Sequence, residues 1–316
     1  MTNDIKPQKR KFLKILFAIE KIAQILRVSR KSNKRGRPRK FGLFQIIACL
    51  VYKVKNSITS FRELEYKINE DREFRRAIGI EKSPDHSYFA KYAAMIEEKY
   101  LADIKEILVS AINPDTSICV VDSTPLRSSK NDRHAATGVC AVLGFYNGYK
   151  LHLLVTGKDE IIPLAWEFSC ANEHDSQKIE LLYRAWIYGA KILIADAGYD
   201  SEKWFKAAQE LEIKFVAGVN KRNMKNKDNV RSELRAENMK YLETEEGKKV
   251  YRKRTMIERL FSKLKGEYKL ENMRLRGFRT YKRHVEWILI TYLFEEFIRK
   301  LEKRKFTLAY VWNQFC

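Results

Sequence analysis

From residue 10 to residue 30, apolar side chains return every three or four positions. Phe12, Ile15, Leu16, Ile19 and Ile22 share one side, with lysines and arginines between them. That period predicts a basic amphipathic helix. SNKRGRPRKFG, residues 32–42, interrupts it, because its glycines and proline break a helix. Residues 43–113 read as all-helical, with Thr59 or Ser60 as an N-cap before FRELEYKI and Ser83-Pro84-Asp85 opening a helix over HSYFAKYAAMI. Asn113-Pro114 ends this part.

The pattern changes at residue 116. TSICVV is a short β-branched, apolar run that predicts a buried strand delivering Asp122 at its end. GVCAVLGFY and YKLHLLVT are strand-like, and Asn147-Gly148 between them predicts a hairpin turn. Asp175 is expected to cap a helix over 176–189, and KILIA to form a second buried strand ending at Asp196. SEKWFKAAQEL predicts a helix and IKFVAGV a strand, whereas 220–249 is polar and charged and is expected to be irregular. YRKRTMIERLFSKLK, 251–265, and an apolar segment at 284–301 complete the helices; Trp186, Trp204 and Trp287 fall at helical apolar positions and are expected in the core. This order predicts an α/β fold, a mixed sheet with flanking helices, preceded by an all-helical N-terminal domain. The expected segments are a basic arm at 1–40, a helical domain at 41–114, and an α/β domain at 115–316 carrying a polar insert at about 220–249.

Composition adds a partner. The chain of 316 residues is 45% hydrophobic and 12% aromatic, enough for a real core, yet its formal charge is +22. Self-repulsion makes that excess costly, so a phosphate-rich partner is its economical explanation; an anionic membrane surface is the weaker alternative. Residues 1–40 hold fourteen Lys/Arg against Asp4 and Glu20, and 248–283 hold fourteen against Glu258, Glu267 and Glu271. Two basic regions suit an extended polyanion touched in more than one place. The apolar runs are too short to span a bilayer, and no segment reads as a signal peptide. Five scattered cysteines without a Cys-x-x-Cys pair argue for reduced thiols and against a zinc site. A soluble, cytoplasmic protein is expected.

In 251–265, six of fifteen residues are Lys or Arg around one acid, Glu258. At about 100° per residue, Tyr251, Arg254, Glu258 and Lys265 fall within roughly 60° of one another. One reading pairs Glu258 with Arg254 at i,i+4 for a few tenths of a kcal/mol. The other makes Glu258 a metal ligand. Asp122 and Asp196 favour the second, because each stands at the end of a buried strand, where α/β sheets bind ligands. Three converging carboxylates would raise one another's pKa unless a cation joined them. Their hard oxygens suit Mg²⁺ or Mn²⁺, and two such ions about 4 Å apart can activate the attacking oxygen and stabilise the leaving one.

These residues carry a resemblance. Tyr251, Arg254, Glu258 and Lys265 match the Tyr-x2-Arg-x3-Glu-x6-Lys spacing that marks a large group of DDE transposases of prokaryotic insertion sequences. VVDST at 120–124 and IADAGYD at 194–200 resemble the two Asp motifs of that group, NGYKLHLL and ANEHDSQK the stretches between them, and GRPRKFGLFQIIACLVY, SFRELE and SPDHSYFAKY its helical N-terminal region. The resemblance implies a ribonuclease H-like catalytic domain with Asp122, Asp196 and Glu258 as the metal-binding triad, Mg²⁺ as the physiological ion, and transposon-end DNA as substrate. It also implies that Tyr251, Arg254 and Lys265 contact DNA phosphates. The 61 residues between Asp196 and Glu258 are fewer than in members bearing a large β-rich insertion.

Other residues carry two readings each. Arg35, Arg37 and Arg39 sit in an AT-hook-like Arg-Gly-Arg-Pro-Arg-Lys run, suited to a narrow minor groove or simply a solvated linker. Lys150 and His152 share one face of their strand, either the active-site face with DNA upon it or a solvated side. Asp175 serves a helix start or supports the site, and Asp200 rivals Asp196 for the second triad position. The expected protein is a nucleoid-associated transposase that binds double-stranded DNA at transposon ends and target, acting as a homodimer in the DNA complex. A metal-dependent nuclease of the same fold and a catalytically silent DNA-binding regulator are the alternatives.

Overall fold

A computed structural model describes residues 7–29, 40–140, 142–157, 160–220 and 232–304. Arg35, Arg37 and Arg39 lie outside the described residues. The chain forms two compact units, one of residues 1–113 with 285–316 and one of residues 114–284.

The first unit is helical: α1 (Pro7–Ser29), α2 (Leu43–Lys55), α3 (Phe61–Glu70), α4 (Arg72–Ala77), α5 (His86–Lys99) and α6 (Leu101–Ile112). The apolar stripe of α1 is its core face, with Ile15, Ile19 and Ile22 fully buried. Ser60 caps α3 by accepting the Glu63 N–H at 3.1 Å, and Asp85 caps α5 by accepting that of Ser87 at 2.7 Å. Asn113 closes α6 in the left-handed conformation before Pro114. The sequence reading assigned all of 115–316 to the α/β domain, but residues from Val285 onward belong to the helical unit. Buried Glu295 is one reason, since it takes Lys11 of α1 at 3.5 Å and Lys55 of α2 at 2.7 Å.

The second unit is built on a mixed sheet: β1 (Ile118–Arg127), β2 (Ala136–Cys140), β3 (Gly144–Thr156), β4 (Ile162–Cys170), β5 (Ile192–Ala195) and β6 (Lys214–Ala217). The strand order is β2-β3-β1-β5-β6, with β4 also on β3. Strands β1, β5 and β6 run parallel, and β3 is antiparallel to β1, β2 and β4. Helices α7 (Glu180–Ile187), α8 (Glu202–Glu210), α9 (Glu233–Glu243), α10 (Glu245–Tyr251) and α11 (Thr255–Gly266) follow. The long α12 (Phe278–Lys303) runs from this unit into the helical one. No described helix is long and apolar enough to cross a membrane.

Several expectations are corrected. The hairpin does not turn at Asn147-Gly148, because β3 runs straight through both residues. Gly148 is there for close approach: a Cβ on it would lie 2.1 Å from the Leu126 carbonyl of β1. The turn comes earlier, between Cys140 and Gly144, and Gly144 supplies the positive φ of 65°. Strand β1 does not end at Asp122 but continues to Arg127. IPLAWEFSC, passed over in the sequence, is β4. Asp175 opens a 3-10 turn rather than capping a helix, and His174 caps that turn. Trp186 is 53% exposed, while Trp204 and Trp287 are buried as expected. The segment expected to be irregular holds α9 and α10, capped by Ser232 and Thr244. Its polar character is used, for the buried Asn238 amide pairs with both backbone groups of Ala217 at the edge of β6.

Candidate active site

The two strands that carry Asp122 and Asp196 are neighbours. Parallel pairing of β1 with β5 runs from Ile118↔Ile192 to Val121↔Ala195 and stops there. Asp122 is the next residue on β1 and Asp196 the first beyond β5, so their backbones stand side by side at about the 4.8 Å strand spacing. Asp122 is thus mid-strand by pairing with β3, yet sits where its parallel partner ends. The third acid comes from α11, whose Met256, Ile257, Leu260, Phe261 and Leu264 are buried while Glu258, in its first turn, is exposed. The single helix expected over 251–265 is broken at its start: Tyr251 closes α10 and a 3-10 turn spans Arg252–Arg254.

Arg254 joins the acids. One guanidinium nitrogen donates to Asp122 Oδ2 at 3.0 Å and the other pairs with Glu258 Oε1 at 2.7 Å. The i,i+4 pair therefore exists, and the same side chain reaches the sheet. Asp122 is buried, and its Oδ1 also accepts the Ser123 N–H at 2.7 Å. Burial first, then the charge of Asp196, push its pKa up to about 7, against the opposing pull of the Ser123 N–H and Arg254. Burial acts against the charge on Arg254, but Asp122, Tyr251, Asp196 and Glu258 outweigh it and hold its pKa above the ordinary value. The Asp196 carboxylate makes no hydrogen bond or ion pair with a described residue. The site is short of positive charge at Asp122, and Arg254 fills that need in part.

The three carboxylates do not all lie within 4.8 Å of one another; among the described residues the one group of acids and histidine that does is Glu65, Asp85 and His86. There Glu65 Oε2 accepts the His86 backbone N–H and contacts its ring nitrogen, each at 3.0 Å, so the group secures the start of α5. A shared pair of ions does not need all three acids in mutual contact. Asp122, Asp196 and Glu258 would hold such ions together, and the ions would supply Lewis acidity there. The all-oxygen donor set, with Asp122 resisting ionisation beside Asp196, fits hard divalent cations.

The other expected residues divide. Tyr251 packs near the acids, and a Cβ on Gly218 would lie 2.5 Å from its hydroxyl, so that glycine leaves it room. The Lys265 ammonium donates to the Pro125 carbonyl of β1 at 3.0 Å. Burial lowers its pKa, against the opposing charges of Glu271 and Cys140. Lys150 and His152 are not on the Asp122 face. Asp122 is paired with Leu153, whereas Ser123 is paired with His152 and Pro125 with Lys150, and alternate residues face opposite sides. His152 is 0% exposed, with its ring on Ser169 at 2.9 Å and Tyr199 at 3.3 Å. DNA has no access to it, which corrects that expectation. Lys150 is spent on Asp175 and the Glu173 carbonyl at 3.0 and 2.9 Å. Asp200 is no rival to Asp196, because Arg235 holds both its oxygens at 2.7 and 2.8 Å.

Ser123 and Gly218 escaped the sequence reading. Ser123 donates to Asp175 at 3.0 Å on the far face, and Asp175 in turn packs 2.9 Å from where a Gly198 Cβ would stand, in the turn after Asp196. The alternation within VVDST carried the signal for Ser123, since it sends neighbouring Asp and Ser to opposite sides.

Residues 113–294 match the family model described as Transposase DDE domain, and residues 2–94 match one described as Transposase domain (DUF772). No curated protein sequence matches the chain. Among solved structures, the chain is similar to one titled "Cryo-EM structure of piggyBac transposase synaptic complex with hairpin DNA", with a TM-score of 0.48 and 11% identity over 96% of this chain and 78% of that one. The DDE match takes in more than half of the 316 residues, and the chain belongs to the DDE transposase family.

Proposed function

We propose that this transposase binds the terminal inverted repeats of an insertion sequence, hydrolyses phosphodiesters at the ends with divalent-metal help, and joins the freed 3′ ends to target DNA. The observation that supports this reading is the meeting of Asp122, Arg254 and Glu258, from elements more than a hundred residues apart, beside Asp196. Asp122, Asp196 and Glu258 would hold Mg²⁺, with Mn²⁺ as a substitute. When bound, such ions supply Lewis acidity that makes a water or hydroxyl nucleophilic and offsets charge on the leaving oxygen.

The chain's own residues position the strand. Arg254, with its planar fork of donors, exchanges a carboxylate for a phosphate without changing its charge. Tyr251 beside it and Lys265 along α11 grip adjoining phosphates. The arm at 1–40 and the helical domain at 41–114 recognise the ends, and the α/β unit of residues 114–284 carries the chemistry. Pairing two ends calls for a homodimer in the DNA complex.

Labelled duplexes cut from the DNA that flanks the coding region test the proposal in the presence of Mg²⁺. Joining to target DNA is expected; cutting without joining would make the protein a nuclease, and binding alone a regulator. Glu258→Gln should abolish cutting and leave binding intact, and loss of binding would give Glu258 a structural role instead.

A further inference from the structure

The pairing of β3 leaves one part of the sheet unsupported. From Gly148 to Thr156, β3 has β1 on one side, and the Asn147 carbonyl still accepts the Ser128 N–H at 2.9 Å; from Gly144 to Tyr146 the only strand paired with β3 is β2, among the described residues. Strand β2 and the start of β3 therefore form a two-stranded ribbon that overhangs the sheet by roughly 10 Å, at about 3.3 Å per residue. The ribbon is uncharged throughout, and its outer positions nearest the turn are apolar. Val139 and Phe145 are directly paired across it and are 63% and 81% exposed, and Val142 at the turn is 92% exposed. Its opposite face is spent inward, with Tyr146 and Gly138 buried.

Three exposed valine and phenylalanine side chains need a reason, and the register supplies one. Phe145 lies eight residues before Leu153 on β3, so both face the same side of the sheet, and Leu153 is the partner of Asp122. The apolar face of the ribbon thus continues the face that holds the acids, at roughly 26 Å along the strand. That is the length of seven or eight base pairs at about 3.4 Å each. Lys265 stands between, and Cys140, paired with Gly144 at the turn of the ribbon, is among the groups acting on it. Exposed bases surround the root: Lys130 and Arg133 precede β2, and Arg274 and Arg276 follow α11. The two loops are tied together, for Asp132 accepts the Gly277 N–H at 3.0 Å and Ser128 donates to Leu275 at 3.2 Å. Asp132 is the one acid of residues 128–147, and it is buried.

An uncharged apolar tip with a basic collar complements a duplex, whose phosphates meet the collar while the tip reaches the bases. We propose that Val139, Val142 and Phe145 form a wedge that enters DNA lying across the acidic face and stacks against bases away from the cleaved phosphate. This rests on the DNA reading above and adds a contact to it.

The test uses the full chain and end duplexes in which 2-aminopurine is placed at successive positions. The double variant Val142→Ser, Phe145→Ser should melt at the parent temperature, because both side chains are exposed. It should bind the duplex roughly tenfold more weakly, as expected when one stacked base is lost. The parent should also brighten one 2-aminopurine position through local unstacking, and the variant should not. Equal binding and equal fluorescence in parent and variant would overturn the wedge. So would a variant that binds DNA as the parent does but sediments as a monomer where the parent is a dimer, since the ribbon would then belong to a second copy of the chain. Failure of the parent itself to bind any duplex would instead overturn the DNA reading.

Discussion

Arg254 decides how the acids are held, because one side chain answers both the buried Asp122 and the exposed Glu258. A carboxylate whose pKa lies near 7 is costly to ionise, and a guanidinium within hydrogen-bond reach lowers that cost without removing it. On the opposite face His152 follows the reverse logic. Burial pulls its pKa down to about 4; Asp175 and Glu173 raise it, while Lys178 and Lys150 lower it further. Tyr199 and Ser169 complete its surroundings. Below pH 6.5 the unfolded chain takes up a proton that the native imidazole refuses until about pH 4. Stability should therefore fall as pH drops through that window, at up to about 1.4 kcal/mol per pH unit from this residue. Urea denaturation of parent and His152→Gln between pH 7.5 and 4.5 measures it. The variant's curve should be flatter on the acid side, and parallel curves would mean that His152 is protonated in the native state.

At the scale of elements, hydrophobic period was the reliable guide and turn chemistry the unreliable one. The helices of residues 43–113 and strands β1, β5 and β6 were legible because their apolar positions repeat at 3.6 residues or form short unbroken runs. Asp196 was legible for the same reason, at the end of KILIA. The Asn147-Gly148 pair misled, since a glycine that permits a turn also permits a neighbouring strand to come close, and local sequence does not separate the two. Strand β4 was hidden because Ile162–Ala165 are buried on both faces and the next three residues are half-buried, so no two-residue alternation marks it. The crowding at Gly148 makes this testable. Gly148→Ala would drive its Cβ into the Leu126 carbonyl and should cost about 2 kcal/mol, the scale of overpacking in a filled interior. A midpoint shift in urea at constant m-value reads that cost; a neutral substitution would mean that β1 and β3 separate easily there.

At the scale of the molecule, the proposed function joins a net charge of +22 and a site short of positive charge at Asp122 into one arrangement, in which bases would meet phosphates and acids would hold the ions. No local pattern in the sequence could reveal that Arg254 bridges two acids, because the contact joins residues 132 positions apart. Sequence could still nominate all three acids, since each stands at a place that an element's end or face makes special. Their shared purpose is best tested by counting bound Mn²⁺ by electron paramagnetic resonance with an end duplex present. The parent should hold Mn²⁺, and Asp122→Asn, Asp196→Asn and Glu258→Gln should each weaken it at least about tenfold. Unchanged Mn²⁺ binding in all three variants, or binding lost only on Glu65→Gln or His86→Ala, would contradict a metal site made by Asp122, Asp196 and Glu258.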